Sequence, residues 1–169
     1  MKLQVATCVV TTCVVAAGMS VLAMTGAVPA SGATNTKAKH SLSVTPTAGL
    51  NPQGQRLTVT GKGFDPRVGI YVALCVVPTP GQAPSPCGGG ANMAAANPAS
   101  VWVSSNPPPY GVGLAKPYGK GGTFKVTLQV AAMIGEVDCR VTPCAVVTRA
   151  DHTRAGDRRF DVIVPVSFQ

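Results

Sequence analysis

The stretch TFKVTLQV, residues Thr123 to Val130, sets Phe124, Val126, Leu128 and Val130 at one parity and Lys125, Thr127 and Gln129 at the other. A period of two is the mark of a strand that buries one face and wets the other. Sliding the register by one residue would bury Lys125, so only one face can turn inward. The segment 160–168 (FDVIVPVSF) alternates likewise through Val162, Val164, Val166 and Phe168, with Pro165 at the other parity. Proline cannot donate to a sheet ladder, so this strand belongs at an edge or carries a bulge. Five further stretches are rich in β-branched and aromatic residues: 41–45 (SLSVT), 57–60 (LTVT), 70–77 (IYVALCVV), 100–104 (SVWVS) and 145–149 (AVVTR). Thr-Gly-Lys-Gly at 60–63, Asp65-Pro66 and Gly-Lys-Gly-Gly at 119–122 supply turns between them.

Seven short strands with regular turns predict an all-β fold, a seven-stranded immunoglobulin-like β-sandwich of two facing sheets over residues 41–169. The composition agrees. Of 169 residues, 19 are Gly and 15 are Pro, and only 12% are charged, which excludes long helices and coiled coils. The length leaves room for one domain and a leader. Residues 78–120 break the rhythm with many Pro and Gly around the island at Trp102, and read as a long functional loop or a floppy insertion.

Between Met1 and Thr36 the only charged side chain is Lys2, and residues 5–28 are apolar with scattered Thr and Ser. The expectation is a secretory signal peptide over 1–33, cleaved near Ala30 or Ala33, followed by a flexible linker over 34–40 in which His40 is mobile. An uncleaved anchor that holds the protein at the cell surface is the alternative, since the apolar run is long enough to span a bilayer. The chain carries a formal charge of +8, with the basic residues spread along it rather than gathered in a stripe. At most, weak non-specific contact with nucleic acid follows.

Six cysteines are present, and Cys8 and Cys13 fall in the leader. The remaining four, in an exported chain, point to disulfides. Three connectivities are possible, and spacing favours the local pairs Cys75 with Cys87 and Cys139 with Cys144. A zinc site is disfavoured, because eleven residues between Cys75 and Cys87 are too many for a knuckle and no histidine stands beside either pair.

Four stretches in order, SVTPTAGL (43–50), VTGKGF (59–64), GEVDCRVTPCAVV (135–147) and VPVSF (164–168), resemble the neocarzinostatin family of actinobacterial enediyne apoproteins. The resemblance implies a secreted sandwich of seven strands with the same two local disulfides, Cys75–Cys87 lying at the floor of a ligand cleft. It also implies a non-catalytic carrier that shields a reactive, apolar, enediyne-like chromophore, which damages DNA once released. The tail 150–168 is similar to immunoglobulin-like segments of haem-acquisition surface proteins of the HtaA type.

Catalytic constellations are missing. Asp151-His152 are adjacent, which does not suit a carboxylate-to-imidazole bond, and no Gly-x-Ser-x-Gly turn occurs. Asp151, Asp157 and Asp161 do not follow the calcium-loop spacing, and surface pairing with Arg154, Arg158 and Arg159 is the expectation. The reading is no enzyme, no cofactor and no metal.

The candidate ligand-binding residues are Trp102, Tyr110 and Tyr118, which cluster in the irregular middle of the chain, with the Cys75–Cys87 clip. Together they would line a cleft for a flat apolar molecule. The plainer expectation for Trp102 is a core residue, and for the two tyrosines a loop packed on itself. The protein is thus expected to be a monomeric, secreted carrier of an apolar small molecule. The rival reading is a structural or adhesive cell-surface module that contacts the cell envelope, and a haem-uptake accessory using Tyr110, Tyr118 or His152 as axial ligands ranks below both.

Overall fold

The structure is a computed structural model that describes residues 31–37, 39–89 and 99–169. The expected signal peptide, apart from residues 31–33, lies outside the described residues. All seven expected strand segments form strands. They are β2 (His40–Thr45), β3 (Gln55–Lys62), β4 (Ile70–Val76), β5 (Ser100–Val103), β6 (Phe124–Val130), β9 (Cys144–Ala150) and β10 (Val162–Val166). Three more bring the number among the described residues to ten: β1 (Ala33–Lys37) and the two-residue pair β7 (Met133–Ile134) and β8 (Val137–Asp138).

The strands make two antiparallel four-stranded sheets, ordered β1-β2-β3-β6 and β10-β9-β4-β5. Their inner faces meet in one core. Leu42 and Val44, Leu57 and Val59, and Val126 and Leu128 come from the first sheet; Ile70, Val72, Leu74, Val103, Val146, Val162 and Val164 come from the second. Phe124, Val126, Leu128 and Val130 point inward while Lys125 and Thr127 stay exposed, as the alternation requires. Pro165 is exposed on β10, an edge strand, where its missing N–H interrupts no interior ladder. Both disulfides, Cys75–Cys87 and Cys139–Cys144, are formed.

Two expectations at the N-terminus are corrected. Most of the segment read as a linker is an edge strand, because β1 pairs residue for residue with β2 from Ala33↔Val44 to Lys37↔His40. All five β1 side chains are exposed, so its attachment rests on backbone pairing and on polar contacts. Asn35 Nδ2 donates to the Ile163 carbonyl (2.5 Å) and Lys37 Nζ to that of Arg158 (2.7 Å), which ties the first sheet to the edge of the second. His40 is not mobile either: its ring stacks between Phe64 and Phe160, 4.8 Å from each.

Candidate functional site

The outer face of a sandwich sheet is ordinarily polar, yet β4 and β9 are apolar at both parities. Ile70, Val72 and Leu74 face the core, while Ala73 and Cys75 of β4 join Ala145 and Val147 of β9 in a second buried cluster on the opposite face. An apolar outer face needs cover. Part of it comes from residues 86–88, which lie along β4 beyond the end of β5: Val76 N–H donates to the Pro86 carbonyl (3.0 Å), Gly88 N–H to that of Leu74 (2.8 Å), and the disulfide joins Cys87 to Cys75.

Register assembles the rest. Trp102 of β5, Tyr71 of β4 and Arg149 of β9 stand in one cross-strand row; Ser100, Ala73, Val147 and Ile163 form the next, and Cys75, Ala145 and Pro165 the third. Small side chains in the second row, between the aromatic row and the disulfide, leave a hollow. Its volume is about 260 Å³, and its lining includes Tyr71, Ala73, Cys87, Gly88, Ser100, Arg149, His152 and Ala155.

Two residues of the lining, Tyr71 and His152, belong to an aromatic group in which the polar atoms bind one another. His152 sits between two phenols, with Nδ1 2.7 Å from the Tyr71 hydroxyl and Nε2 2.5 Å from the Tyr110 hydroxyl. Trp102 stacks on Tyr110 at 6.3 Å and meets His152 edge-on at 5.4 Å. The indole Nε1–H donates to Asp151 Oδ2 (3.0 Å), and the other oxygen of this buried carboxylate accepts from the Thr153 amide (3.0 Å) and hydroxyl (2.6 Å). Burial, followed by the charge of Asp151, raises the Tyr71 phenol above its ordinary pKa and so favours its neutral form.

Two glycines permit this packing. A Cβ on Gly69 would lie 1.9 Å from Asp151 Oδ2, and one on Gly111 would lie 2.4 Å from the Trp102 ring. Gly111 ends the single 3-10 turn, Pro109–Gly111, that presents Tyr110.

Of the sequence-predicted residues, Cys87 lines this hollow, its disulfide partner Cys75 lies beneath it, and Trp102 and Tyr110 pack against the lining residues Tyr71 and His152. Trp102 is half-buried rather than sealed in the core, and Tyr110 is 57% exposed. Tyr118 is a correction. Its ring packs with Phe64 and Phe124 against the main core, its hydroxyl donates to the Val68 carbonyl (3.1 Å), and burial raises its pKa strongly. It therefore takes no part in the wall. Tyr71, Arg149, Asp151 as the indole's partner, and His152 as a bridge between phenols were not foreseen.

The arrangement offers little for catalysis. Asp151 and His152 spend their polar atoms on different partners, and Cys87, the sulfur in the lining, is oxidised. Axial ligation of haem is disfavoured for a related reason, since both nitrogens of His152 already face phenols and the Tyr118 hydroxyl is engaged in the core.

A sequence model of the Neocarzinostatin family matches residues 42–168. The chain belongs to the neocarzinostatin family. Among solved structures, that of macromomycin resembles it with a TM-score of 0.50 and 22% identity, over 77% of this chain and 99% of the macromomycin chain. A comparison with curated proteins gave no match. Membership in the neocarzinostatin family supports the general role of a small-molecule carrier. The four sequence stretches that carried the resemblance sit on and around β2, β3, β8–β9 and β10, the frame of the sandwich, and contribute little to the aromatic wall.

Proposed function

We propose that the protein is an exported, non-catalytic carrier that holds a flat, largely apolar molecule, enediyne-like by family, on the outer face of the β10-β9-β4-β5 sheet. The observation that carries this reading is the hollow over Ala73 and the Cys75–Cys87 clip, walled by aromatic rings whose polar atoms are already paired among themselves. Such a wall stacks on a ligand without competing for its polar groups and without offering it a nucleophile. The volume is a little under the roughly 300–1,000 Å³ usual for ligand pockets. It takes the ring system of a ligand and leaves the remainder at the mouth.

The two disulfides fit a secreted protein. Direct recognition of DNA is not part of the proposal. Four arginines, Arg67, Arg140, Arg158 and Arg159, are paired with carboxylates, and any action on DNA belongs to the ligand.

The test uses Trp102, the only tryptophan of the chain, as a reporter packed against the lining residues Tyr71 and His152. Titration with the neutral dye N-phenyl-1-naphthylamine is expected to quench Trp102 and to saturate at one dye per protein. Ala73→Leu, which fills the floor, is expected to weaken binding about tenfold or more, on the order of 1.4 kcal/mol. Absence of saturable binding, or an Ala73→Leu protein that binds as the parent does, overturns the proposal.

A further inference from the structure

Arg149 brings a positive charge to the lining of the hollow, and among the described residues it forms no ion pair. Its position follows from strand parity: on β9 it shares a face with Ala145 and Val147, and it stands beside Tyr71 of β4. Its single hydrogen bond among the described residues runs from Nη1 to the Pro84 carbonyl (3.1 Å), and its Nε is buried without an acceptor. The nearby carboxylates make their hydrogen bonds elsewhere, Asp151 to Trp102 and Thr153, and Asp161, through Oδ2, to Arg158; the charge of Arg149 acts on Asp161 through space without a hydrogen bond between them.

An unpaired guanidinium beside an apolar floor is costly unless something supplies the missing acceptors. The bond to Pro84 engages Nη1, and Nη2 makes no hydrogen bond among the described residues. A guanidinium N–H of this kind makes a charge-assisted hydrogen bond to an oxygen of an anion. We propose that the molecule held in the hollow is amphipathic, an aromatic ring system bearing an anionic oxygen group, and that Arg149 recognises that group while the aromatic wall takes the ring. The inference rests on the carrier reading and adds to it a ligand charge and a specificity-determining residue.

Two dyes that differ only by a sulfonate provide the test. 1-Anilinonaphthalene-8-sulfonate carries the anion, and N-phenyl-1-naphthylamine is its neutral counterpart. The parent protein is expected to prefer the sulfonate dye by about tenfold, a difference of ~1.4 kcal/mol. Arg149→Met is expected to abolish that preference, its loss of affinity for the sulfonate dye exceeding any change for the neutral dye by about tenfold. Arg149→Lys is expected to retain part of the preference, because the charge remains and the planar guanidinium is lost. Arg56→Met removes the same unit of charge from an exposed position on β3, in the other sheet, and is expected to change nothing.

Equal affinities of the parent for the two dyes would overturn this inference, and so would equal losses in Arg149→Met and Arg56→Met. In either case the carrier reading stands, because the neutral dye still binds. Should neither dye bind the parent, the carrier reading itself falls and this inference with it.

Discussion

Trp102 is held at both ends of its indole: the ring lies on Gly111 and Tyr110, and Nε1–H donates to Asp151. Since Asp151 is 2% exposed, water does not replace the indole when it is removed. Trp102→Phe keeps most of the ring contact but takes one donor from a buried carboxylate, and the expected loss is about 1–3 kcal/mol in urea unfolding followed by circular dichroism. Gly69→Ala is expected to destabilise as well, since its Cβ would drive Asp151 away from the indole. At this scale the sequence told only part of the site. Trp102 and Tyr110 are conspicuous as aromatics among glycines and prolines, whereas Tyr118, equally conspicuous, turns inward to the core. Tyr71 was within reach of a parity argument, because it stands four residues before Cys75 on the same strand and so shares the face of the disulfide. Arg149 follows in the same way from Ala145 and Val147. His152 does not, because it lies in a 3-10 turn whose direction no periodicity predicts.

The sandwich was legible in the strands that bury a stripe, because burial imposes the alternation that sequence reading detects. β1 escaped that reading for the same reason. Its residues Ala-Thr-Asn-Thr-Lys bury no side chain, so its pairing leaves no hydrophobic pattern. The pair β7 and β8 is too short for a period to show. The position of β1 bears on where the expected leader would be cut. The Ser31 carbonyl accepts the Thr47 N–H (2.8 Å), and Ala33 pairs with Val44. Cleavage after Ala30 preserves both contacts, whereas cleavage after Ala33 discards them. N-terminal sequencing of the exported protein is therefore expected to begin at Ser31. A start at Thr34 would show that the mature sheet dispenses with the first rung of β1.

Three loops of the molecule carry the same clamp, Asp-x-Arg, in which a carboxylate accepts both the backbone N–H and the guanidinium of the arginine two residues on. These are Asp65 with Arg67, Asp138 with Arg140, and Asp157 with Arg159. The hydrogen bonds from the arginine side chains lower all three carboxyls below their ordinary value of 3.8, Asp65 and Asp157 to about 2. A carboxyl whose pKa is lower folded than unfolded stabilises the fold above the unfolded value, and that contribution disappears as pH falls through the folded one. Asp161 works in the opposite sense: burial raises its carboxyl, so its charged form costs stability as pH rises, and protonation in acid relieves that cost. The clamps outnumber it, but they face water and each contributes little. The urea midpoint is therefore expected to be level near neutrality and to fall between about pH 4 and pH 2. Acid also strips negative charge from a chain that already carries +8, and self-repulsion alone would lower the midpoint. The triple substitution Asp65→Asn, Asp138→Asn and Asp157→Asn separates the two causes. It removes the titrating clamps, leaves the neutral-pH protein more positive and somewhat less stable, and is expected to flatten the acid limb. A variant that lost stability as steeply as the parent below pH 4 would assign the acid limb to repulsion across the whole molecule instead of to the loops.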